Sequence, residues 1–542
     1  MATDDRSLLT TENCLARGLR WWPAIAALAV GVSLQSAATM FFGENRPYLV
    51  WACVFVIWPL TVFLLLLWWT FWSRITWRMR GLGLLIVAGI GASSLVVFRF
   101  DEFDGAMIPR FSPRWKPSKK DLAAEFFKSA AANKASAPQE NVADTSLEPT
   151  DSDWPAFRGA NRDDVVVGES LRSDWDARPP KQLWKQPIGS GWGAFAVIGH
   201  RAWTLEQRGE NELCVCYEVE TGRELWTHAD VARFSSPQGG VGPCSTPTVH
   251  EGRIFTQGAT GILNCLDAAT GERVWTRNTL EDAGSPNLSW GQCGSPLIVD
   301  DLVIVNPGSN DAASQTKKSA VIAYRSDNGE QVWTSGNRIG SYASPQIATI
   351  KGTRQLLIYD GLGLFSLAPD SGRERWKFDW TNGPQVNAAQ PILVDDRHVL
   401  IGSGYGQGSV LIGFDEGDTT SLENPKSRWQ SKQFKTKFNG AVRLGDHVFG
   451  LDEGLLTCLN LTDGKRLWKQ GRYGYGEMLL VDDKLLILTE DGDVVLVSAS
   501  PKPPRELGRF HAIDGTTWNH PVLSRGRLLI RNGVEAACFD LR

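Results

Sequence analysis

The chain has 542 residues and a net charge of −4, from 56 Lys and Arg against 60 Asp and Glu. This near-neutral balance leaves no general basic surface, so it argues against a nucleic-acid-binding protein. Nine cysteines, none in Cys-x-x-Cys spacing, argue against a complete disulfide framework and against a zinc ribbon.

Three apolar runs lie within the first hundred residues, at 21–42, 48–72 and 81–98. At about 1.5 Å per helical residue they extend over about 27 to 37 Å, close to the roughly 30 Å of a bilayer's hydrocarbon core. Tryptophans concentrate near their ends, where an indole ring favours the headgroup layer. The sequence therefore predicts three transmembrane helices.

Positive charges in the short flanks predict the orientation of these helices. Arg6, Arg17 and Arg20 precede the first run, Arg46 stands alone in the first loop, and the second loop holds Arg74, Arg78 and Arg80. We therefore expect residues 1–20 to be a cytoplasmic leader. The portion after the third run should lie outside the inner (cytoplasmic) membrane, on the periplasmic side. Basic residues just beyond the third run oppose this orientation, although long exported domains translocate largely regardless of charge.

Residues 99–152 are polar and rich in small side chains, with no sustained apolar face. This composition is typical of a solvated tether. We predict a polar linker here, with one short helix possible around 121–133.

A turn followed by a tryptophan recurs along the rest of the chain, as in VETGRELW, AATGERVW and LTDGKRLW. Five copies have a glycine four residues before the tryptophan, and three looser copies complete a set of eight aromatic positions. Their mean spacing is about 47 residues, which is typical of propeller blades. The eight positions are Trp184, Trp226, Trp275, Trp333, Trp376, Trp429, Trp468 and Phe510.

Between these aromatic residues lie eight alternating apolar hairpins with short turns rich in Gly and Asp, such as Glu251-Gly252 and Asp300-Asp301. Two-residue turns of this composition favour β-hairpins. The two patterns together predict an all-β, eight-bladed β-propeller with four-stranded antiparallel blades over residues 153–542. The aromatic residues would be structural, each filling a hydrophobic slot between neighbouring blades.

The carboxyl terminus, CFDLR, is similar to the third strand of a repeat, so the last blade lacks its outer strand. The segment 181–189, KQLWKQPIG, is similar to that missing strand. We therefore predict that it pairs with the C-terminal strand and closes the ring, which removes exposed sheet edges.

These repeats resemble those of the pyrroloquinoline quinone (PQQ) propeller superfamily, which includes the quinoprotein alcohol dehydrogenases and BamB. The segment Trp154-Pro155-Ala156-Phe157-Arg158-Gly159 also resembles the leader of PQQ-binding-like repeat proteins. The resemblance covers about 390 residues and implies the fold and a location outside the cytoplasm. The three predicted spans differ from the lipoprotein anchor of BamB.

For a quinoprotein dehydrogenase, the resemblance implies a pair of adjacent cysteines, a Glu/Asn/Asp calcium site and often a Cys-x-x-Cys-His haem attachment. Neither adjacent cysteines nor the haem sequence occurs in this chain. We therefore predict no catalytic residues, no metal site and no cofactor. PQQ with calcium, stacked on a tryptophan, remains the alternative.

The cysteines and histidines have mainly structural interpretations. Four cysteines occupy one register of the third strand, where a small thiol suits a packed sheet. Cys244 and Cys293 differ, because they precede the innermost strands of adjacent repeats, where they could pair or face the channel. His520 is the histidine with a channel position, although a satisfied structural histidine is the alternative interpretation.

Residues that precede the innermost strands should converge at one mouth of the central channel, where propellers commonly bind ligands. Aromatic rings and amides dominate this set and could stack a flat ligand or hold a peptide loop. Simple inter-blade filling is the alternative. The candidate binding residues are Trp192, Trp290, Tyr342, Asn387, Asn439, Glu477, Trp518 and Asn519.

Our leading hypothesis is a membrane-anchored, extracytoplasmic propeller that acts as a non-catalytic binding or scaffolding module for protein partners. The rival is a divergent PQQ-dependent oxidoreductase with Trp290 or Trp518 under the cofactor and Glu477 or Asn387 near the metal. A third hypothesis is a sensor that signals through the membrane spans, for which the leader of 20 residues is short.

Overall fold

The computed structural model describes residues 20–42, 47–105, 108–134, 147–175, 177–309, 319–415 and 425–542. The chain divides into two compact units, Met1–Pro117 and Ser118–Arg542. Most of the predicted leader and the loop residue Arg46 lie outside the described residues.

The first unit contains three long apolar helices, α1 (Trp22–Phe42), α2 (Pro47–Leu67, continued by a π-helical turn, Trp68–Trp72) and α3 (Trp77–Val97). Each is long and apolar enough to cross a membrane. The third helix begins four residues before the predicted apolar run. Its first turn includes Arg80, whose guanidinium donates to the Thr70 carbonyl at 2.6 Å. Hydropathy marks only the apolar portion of a helix, so it missed this charged first turn.

The segment predicted as a polar linker contains regular structure. A two-stranded hairpin, Phe98–Phe103 with Pro109–Pro113, follows α3 directly, and helix α4 spans Lys119–Lys134. The hairpin has an aromatic cluster, since the Phe100 ring lies 4.9 Å from that of Phe103 and 6.0 Å from that of Phe111, between centroids. Its apolar residues are too few to stand out in a composition analysis.

The second unit is an eight-bladed propeller of four-stranded antiparallel sheets, which confirms the predicted fold class. Blades 1 to 4 have these strands: Ala196–Ile198, Arg201–Arg208, Asn211–Glu218 and Glu224–Val231; Thr248–His250, Arg253–Gln257, Ile262–Asp267 and Arg273–Asn278; Leu297–Val299, Leu302–Val305, Val321–Arg325 and Gln331–Ser335; Gln346–Ile350, Thr353–Tyr359, Gly363–Leu367 and Glu374–Asp379.

Blades 5 to 8 continue around the ring. Their strands are Ile392–Leu393, His398–Ser403, Gly408–Gly413 and Lys426–Ser431; Ala441–Leu444, His447–Asp452, Leu455–Asn460 and Arg466–Arg472; Glu477–Val481, Lys484–Leu488, Asp493–Ser498 and Glu506–His511; Val522–Ser524, Arg527–Arg531, Glu535–Asp540 and Lys181–Pro187. Short extra elements are the strand pair Ser235–Ser236 with Gly240–Val241, the strand Val165–Val166 and helix α5 (Thr279–Ala283).

The core of the propeller lies between neighbouring blades. The two middle strands of a blade are buried on both faces, whereas the outer strand alternates between buried and exposed side chains. One apolar cluster, for example, joins Ile304 of blade 3 to Leu356 and Ile358 of blade 4. Burial of apolar surface between sheets is therefore what holds the ring together.

The tight hairpin turns have the backbone that their sequences predict. Glu251 and Gly252 have φ values of 48° and 69°. In seven of the eight turns, the first turn residue has a φ in this left-handed region. Positive φ at both central positions matches the right-handed twist of the strands. The turn at Asp395 is different, because its carboxylate accepts hydrogen bonds from the backbone N–H groups of Arg397 and His398.

The tryptophan on the outer strand of one blade packs on the glycine turn of the next. A Cβ atom on Gly329 would lie 2.8 Å from the Trp275 ring, so only glycine fits there. The indole N–H also donates to a backbone carbonyl of the next blade. The donor and acceptor pairs are Trp184 with Val219, Trp226 with Ala268, Trp275 with Ser326, Trp333 with Pro369, Trp429 with Leu461, and Trp468 with Ser500.

Two of the eight aromatic positions make other contacts. The Trp376 indole donates to Gln355 at 2.6 Å, within its own blade, and the ring packs on Phe414. The Phe510 ring lies between Trp175 and Phe539, with centroids 5.4 and 4.9 Å away. A phenylalanine has no N–H to donate, so this position is held by ring contacts alone.

The ring is closed by strand Lys181–Pro187, which pairs antiparallel to the last strand, Glu535–Asp540. A buried arginine, Arg531 of blade 8, reinforces this closure. Its guanidinium donates to the carbonyls of Gly189 and Leu205, both at 2.9 Å. Backbone pairing and a buried guanidinium therefore join blade 8 to blade 1.

Candidate functional site

The predicted aromatic residues lie in two pairs around the mouth of the channel. The rings of Trp192 and Trp518 are 4.8 Å apart between centroids, and those of Trp290 and Tyr342 are 5.1 Å apart. All four side chains are half-buried. Each precedes an innermost strand, and the two pairs belong to the 8–1 and 3–4 blade junctions. The mouth therefore presents ring surface to solvent.

Phe438 is an additional mouth residue that the sequence analysis missed. Its ring centroid lies 5.6 Å from that of Trp518 and 5.9 Å from that of Tyr475. The ammonium of Lys437 lies 5.1 Å from the Tyr475 ring centroid, a cation–π contact. The miss arises because Phe438 lies in a bend before strand Ala441–Leu444, where strand alternation does not determine which side chain faces the mouth.

The polar members of the predicted set are buried and bind the backbone of neighbouring blades. Asn439 donates to the Gly476 carbonyl at 2.6 Å, and Asn519 donates to the Gly193 carbonyl at 2.9 Å. Asn387 donates to the Asp360 carbonyl at 2.8 Å and accepts from Ser403 at 2.8 Å. These amides therefore connect the strand starts instead of facing solvent.

A segment that precedes the blades occupies the channel beneath the mouth. We call residues 154–168 the channel plug. It enters beside Val197, with which Trp154 exchanges two backbone hydrogen bonds of 2.7 and 2.8 Å, and leaves as Val165–Val166, parallel to the innermost strand of blade 7. The leader sequence identified by resemblance is thus the first half of this plug.

Arg162 fixes the plug to three blades at once. Its guanidinium donates to the carbonyls of Pro345, at 2.8 Å, and Pro296, and it lies 3.4 Å from the Thr248 hydroxyl. The side chain is buried, and burial lowers the pKa of Arg162 to about 9. Backbone carbonyl dipoles thus solvate this cation in place of water.

Four ionisable side chains join the plug to blades 7 and 8, and we call them the charge cluster: Arg158, Asp164, Glu477 and His520. Arg158 pairs with Asp164 directly and donates to the Ala441 carbonyl at 2.9 Å. The imidazole of His520 lies between two carboxylates, with Nδ1 3.6 Å from Asp164 and Nε2 3.5 Å from Glu477. The cluster therefore contains two acids and two bases.

The environment moves the pKa values of these groups in different directions. Burial raises the pKa of Glu477 to about 7. Burial also opposes ionisation of Asp164, but the charges of Arg158 and His520 outweigh it and lower the pKa of Asp164. For His520, burial lowers the pKa, and the charges of Glu477 and Asp164 outweigh it and raise that pKa. At neutral pH, protons are therefore shared between Glu477 and His520.

We expect the free energy of unfolding of the propeller to fall as the pH rises from about 4.5 to about 7, with Glu477 contributing up to about 3 kcal/mol. In this interval unfolded Glu477 loses a proton that the folded state retains. The raised pKa of His520 acts in the same direction, because its stabilisation is lost at higher pH. Thermal unfolding of the full-length protein at a series of pH values would measure the effect.

The variant Glu477→Gln should reduce this pH dependence, and exposed Glu210→Gln should leave it unchanged. Glu212, whose burial also raises its pKa to about 7, contributes in the same interval, so some dependence should remain. An unchanged slope in Glu477→Gln would contradict the assignment.

The two polar residues that the rival hypothesis places near the metal, Asn387 and Glu477, already have partners within the protein. Both ends of the Asn387 amide are already hydrogen-bonded. Glu477 accepts from the Gly440 N–H at 2.7 Å and faces His520. Among the described residues, no group of three or more His, Cys, Asp or Glu side chains is arranged to hold a metal ion.

Comparisons with known proteins agree on the fold. The model of the family described as outer membrane protein assembly factor BamB matches residues 168–314 and 210–470, together more than half of the chain. None of the curated proteins matches the chain. Three solved structures illustrate the similarity.

BamB from Moraxella catarrhalis is 18% identical with a TM-score of 0.46, and the match covers 66% of this chain and 99% of BamB. The quinohemoprotein alcohol dehydrogenase from Comamonas testosteroni is 14% identical with a TM-score of 0.51, over 76% of this chain and 84% of the enzyme. A europium-containing methanol dehydrogenase is 14% identical with a TM-score of 0.49, over 72% and 91%. At 14% identity and a TM-score of 0.51, the match to the quinohemoprotein alcohol dehydrogenase shows similarity of fold alone.

Proposed function

The chain belongs to the family of the outer membrane protein assembly factor BamB, and on that premise we propose that it is a membrane-anchored propeller that binds protein partners at its channel mouth without catalysis. The name of the family describes an assembly factor, a role that acts on other proteins. The three apolar helices support attachment to a membrane.

One observation carries the proposal: the mouth has partly exposed ring surface, whereas the side-chain amides of Asn387, Asn439 and Asn519 are buried and donate to backbone carbonyls. The indole N–H of Trp518 donates to Glu490 at 2.8 Å, and that of Trp192 donates to the Gly239 carbonyl. These bonds fix both rings in place. Rigid, partly exposed aromatic rings lose little entropy on binding, which is why tryptophan and tyrosine are enriched at binding hot spots.

The channel plug favours a partner that binds across the mouth. Arg162 and the charge cluster fill the channel beneath the rings, so a ligand bound at the mouth cannot enter the channel more deeply. One loop lies between the two ring pairs, because the Gly239 carbonyl accepts from the Trp192 indole and a Cβ atom on Gly239 would lie 2.7 Å from the Trp290 ring. An extended polypeptide segment with apolar or aromatic side chains could contact both pairs. We take such a segment as the occupant.

The catalytic alternative has weaker support. The amide of Asn387 is engaged on both sides, Glu477 belongs to the charge cluster, and the sequence has no adjacent cysteines. Similarity to quinohemoprotein dehydrogenases is at the level of fold. We therefore favour binding over oxidoreduction.

The side of the membrane is part of the proposal. We propose that the propeller lies on the periplasmic side of the inner membrane, because Arg74, Arg78 and Arg80 between the second and third helices favour a cytoplasmic loop. Protease added to spheroplasts should then degrade the propeller in intact cells. A protected propeller would mean the reverse orientation.

A photo-crosslinking amino acid at Trp192 or Trp290 should capture the same partner protein in cells, because both positions line one mouth. The matched control is Val332, an exposed apolar residue on the outer strand of blade 3. In the Trp192 crosslinking protein, a further Trp518→Ala change should lower the adduct yield about tenfold or more, the range of a hot-spot residue. Mass spectrometry of the adducts would identify the partner.

Two outcomes would contradict the proposal. Adducts from the mouth that are the same as those from Val332 would show no specific binding there. Heat release on titration with PQQ and calcium, together with alcohol-dependent dye reduction, would establish the oxidoreductase instead.

A further inference from the structure

Two cysteines occupy equivalent positions in neighbouring blades. Cys244 in GPCSTP and Cys293 in GQCGSP each lie three residues before a proline that leads into an innermost strand, of blade 2 and blade 3 respectively. Strand starts are close together near the axis of a propeller. The fold therefore brings these two side chains to one junction at the channel mouth.

The thiols lie against each other and against one backbone carbonyl. The Sγ of Cys293 is 3.4 Å from the Trp290 carbonyl oxygen, and the Sγ of Cys244 is 4.0 Å from the same oxygen. The two thiols are also hydrogen-bonded to each other, which together with burial raises the pKa of Cys293 well above its usual range. Both cysteines are half-buried, so a reagent can reach them from the mouth.

The other described cysteines lack this combination of proximity and access. Cys214 and Cys216 are neighbours on one strand, but both are buried between sheets. Cys265, Cys458 and Cys538 are also buried, at separate blades, and Cys53 is in an apolar helix.

We propose that Cys244 and Cys293 form a reversible disulfide that links blades 2 and 3 beneath the Trp290–Tyr342 ring pair. The closed form joins the two strand starts covalently, and the open form leaves two thiols at the mouth. This inference does not depend on the proposed function, because it concerns the bond itself and not what the mouth binds.

The reaction is thiol–disulfide exchange with an external disulfide, either a small molecule or an oxidoreductase. In the first step the Cys244 thiolate attacks the donor disulfide. Its sulfur forms a mixed disulfide and releases one thiol of the donor. Cys293 then loses its proton and displaces the second thiol, so two protons and two electrons leave the pair and the donor disulfide becomes two thiols.

The test uses the full-length protein in detergent, equilibrated with glutathione buffers of graded oxidised and reduced content. After acid quenching and denaturation, a maleimide-polymer label counts free thiols by gel shift. The reduced chain has nine thiols, and we expect the oxidised chain to accept two labels fewer. Peptide mapping should locate the bond between Cys244 and Cys293.

The variants Cys244→Ser and Cys293→Ser should each keep their remaining thiols labelled at every ratio. The control Cys214→Ser should still lose two labels on oxidation, because Cys244 and Cys293 are both present in it. The closed form should unfold at a temperature several degrees higher than the open form, since the bond closes a loop of about 50 residues in the unfolded chain. Full labelling of the natural sequence at all ratios, or a bond between other cysteines, would overturn the proposal.

Discussion

Replacing Arg158 by methionine is expected to destabilise the propeller by about 3 to 5 kcal/mol. The substitution leaves the Asp164 carboxylate buried without its direct ion-pair partner and frees the Ala441 carbonyl. An uncompensated buried charge costs more than the same charge in solvent, because protein dipoles replace water poorly. Chemical denaturation of the full-length protein in micelles, followed by tryptophan fluorescence, would measure the loss.

A double substitution separates the ion pair from packing at the same position. Arg158→Met with Asp164→Asn should lose less stability than the sum of the two single variants, since no charge is then left unpaired. The exposed pair Arg325–Asp301 is the matched control, and Arg325→Met should cost less than about 1 kcal/mol. Additive losses in the double variant would contradict a buried ion pair.

The change Trp275→Ala should also cost about 3 to 5 kcal/mol, the usual range for a large buried aromatic residue. The ring is 8% exposed, lies over Gly329 of the next blade, and donates to the Ser326 carbonyl at 3.0 Å. Its loss opens a cavity between blades 2 and 3 and leaves that carbonyl without the indole. The same denaturation measurement applies.

Val274 provides a control on the same strand. It is the residue before Trp275, faces the other side of the strand and is 47% exposed. Val274→Ala should therefore cost less than about 1 kcal/mol. A loss from Trp275→Ala no larger than that from Val274→Ala would mean that the ring contributes little between the blades.

The propeller was predictable because every blade repeats the same local signals. Turn residues such as Gly252, a middle strand of continuous apolar residues and an outer-strand tryptophan recur at one spacing, and each has a local physical cause. Because the signals recur eight times, a misread signal in one repeat does not change the predicted fold. The irregular turn at Asp395 did not change the count of blades.

The channel plug was not predictable in this way. It is held by single side chains, above all Arg162, whose carbonyl partners lie more than a hundred residues away in the sequence. No periodicity records such a contact. Likewise, spacing located the strand start at Asn439 but could not say that Phe438 would face the rings of the mouth, since that depends on the local turn of the chain.

The closure of the ring by Lys181–Pro187 has a consequence for biosynthesis. This strand leaves the ribosome about 350 residues before its partner, Glu535–Asp540. Until the final residues emerge, the nascent chain has one blade without its neighbour and a strand whose backbone groups await a partner. Completion of the fold is thereby tied to completion of translation. A chain cut short near its end would be left with an open sheet edge, a feature that quality-control proteases and chaperones recognise.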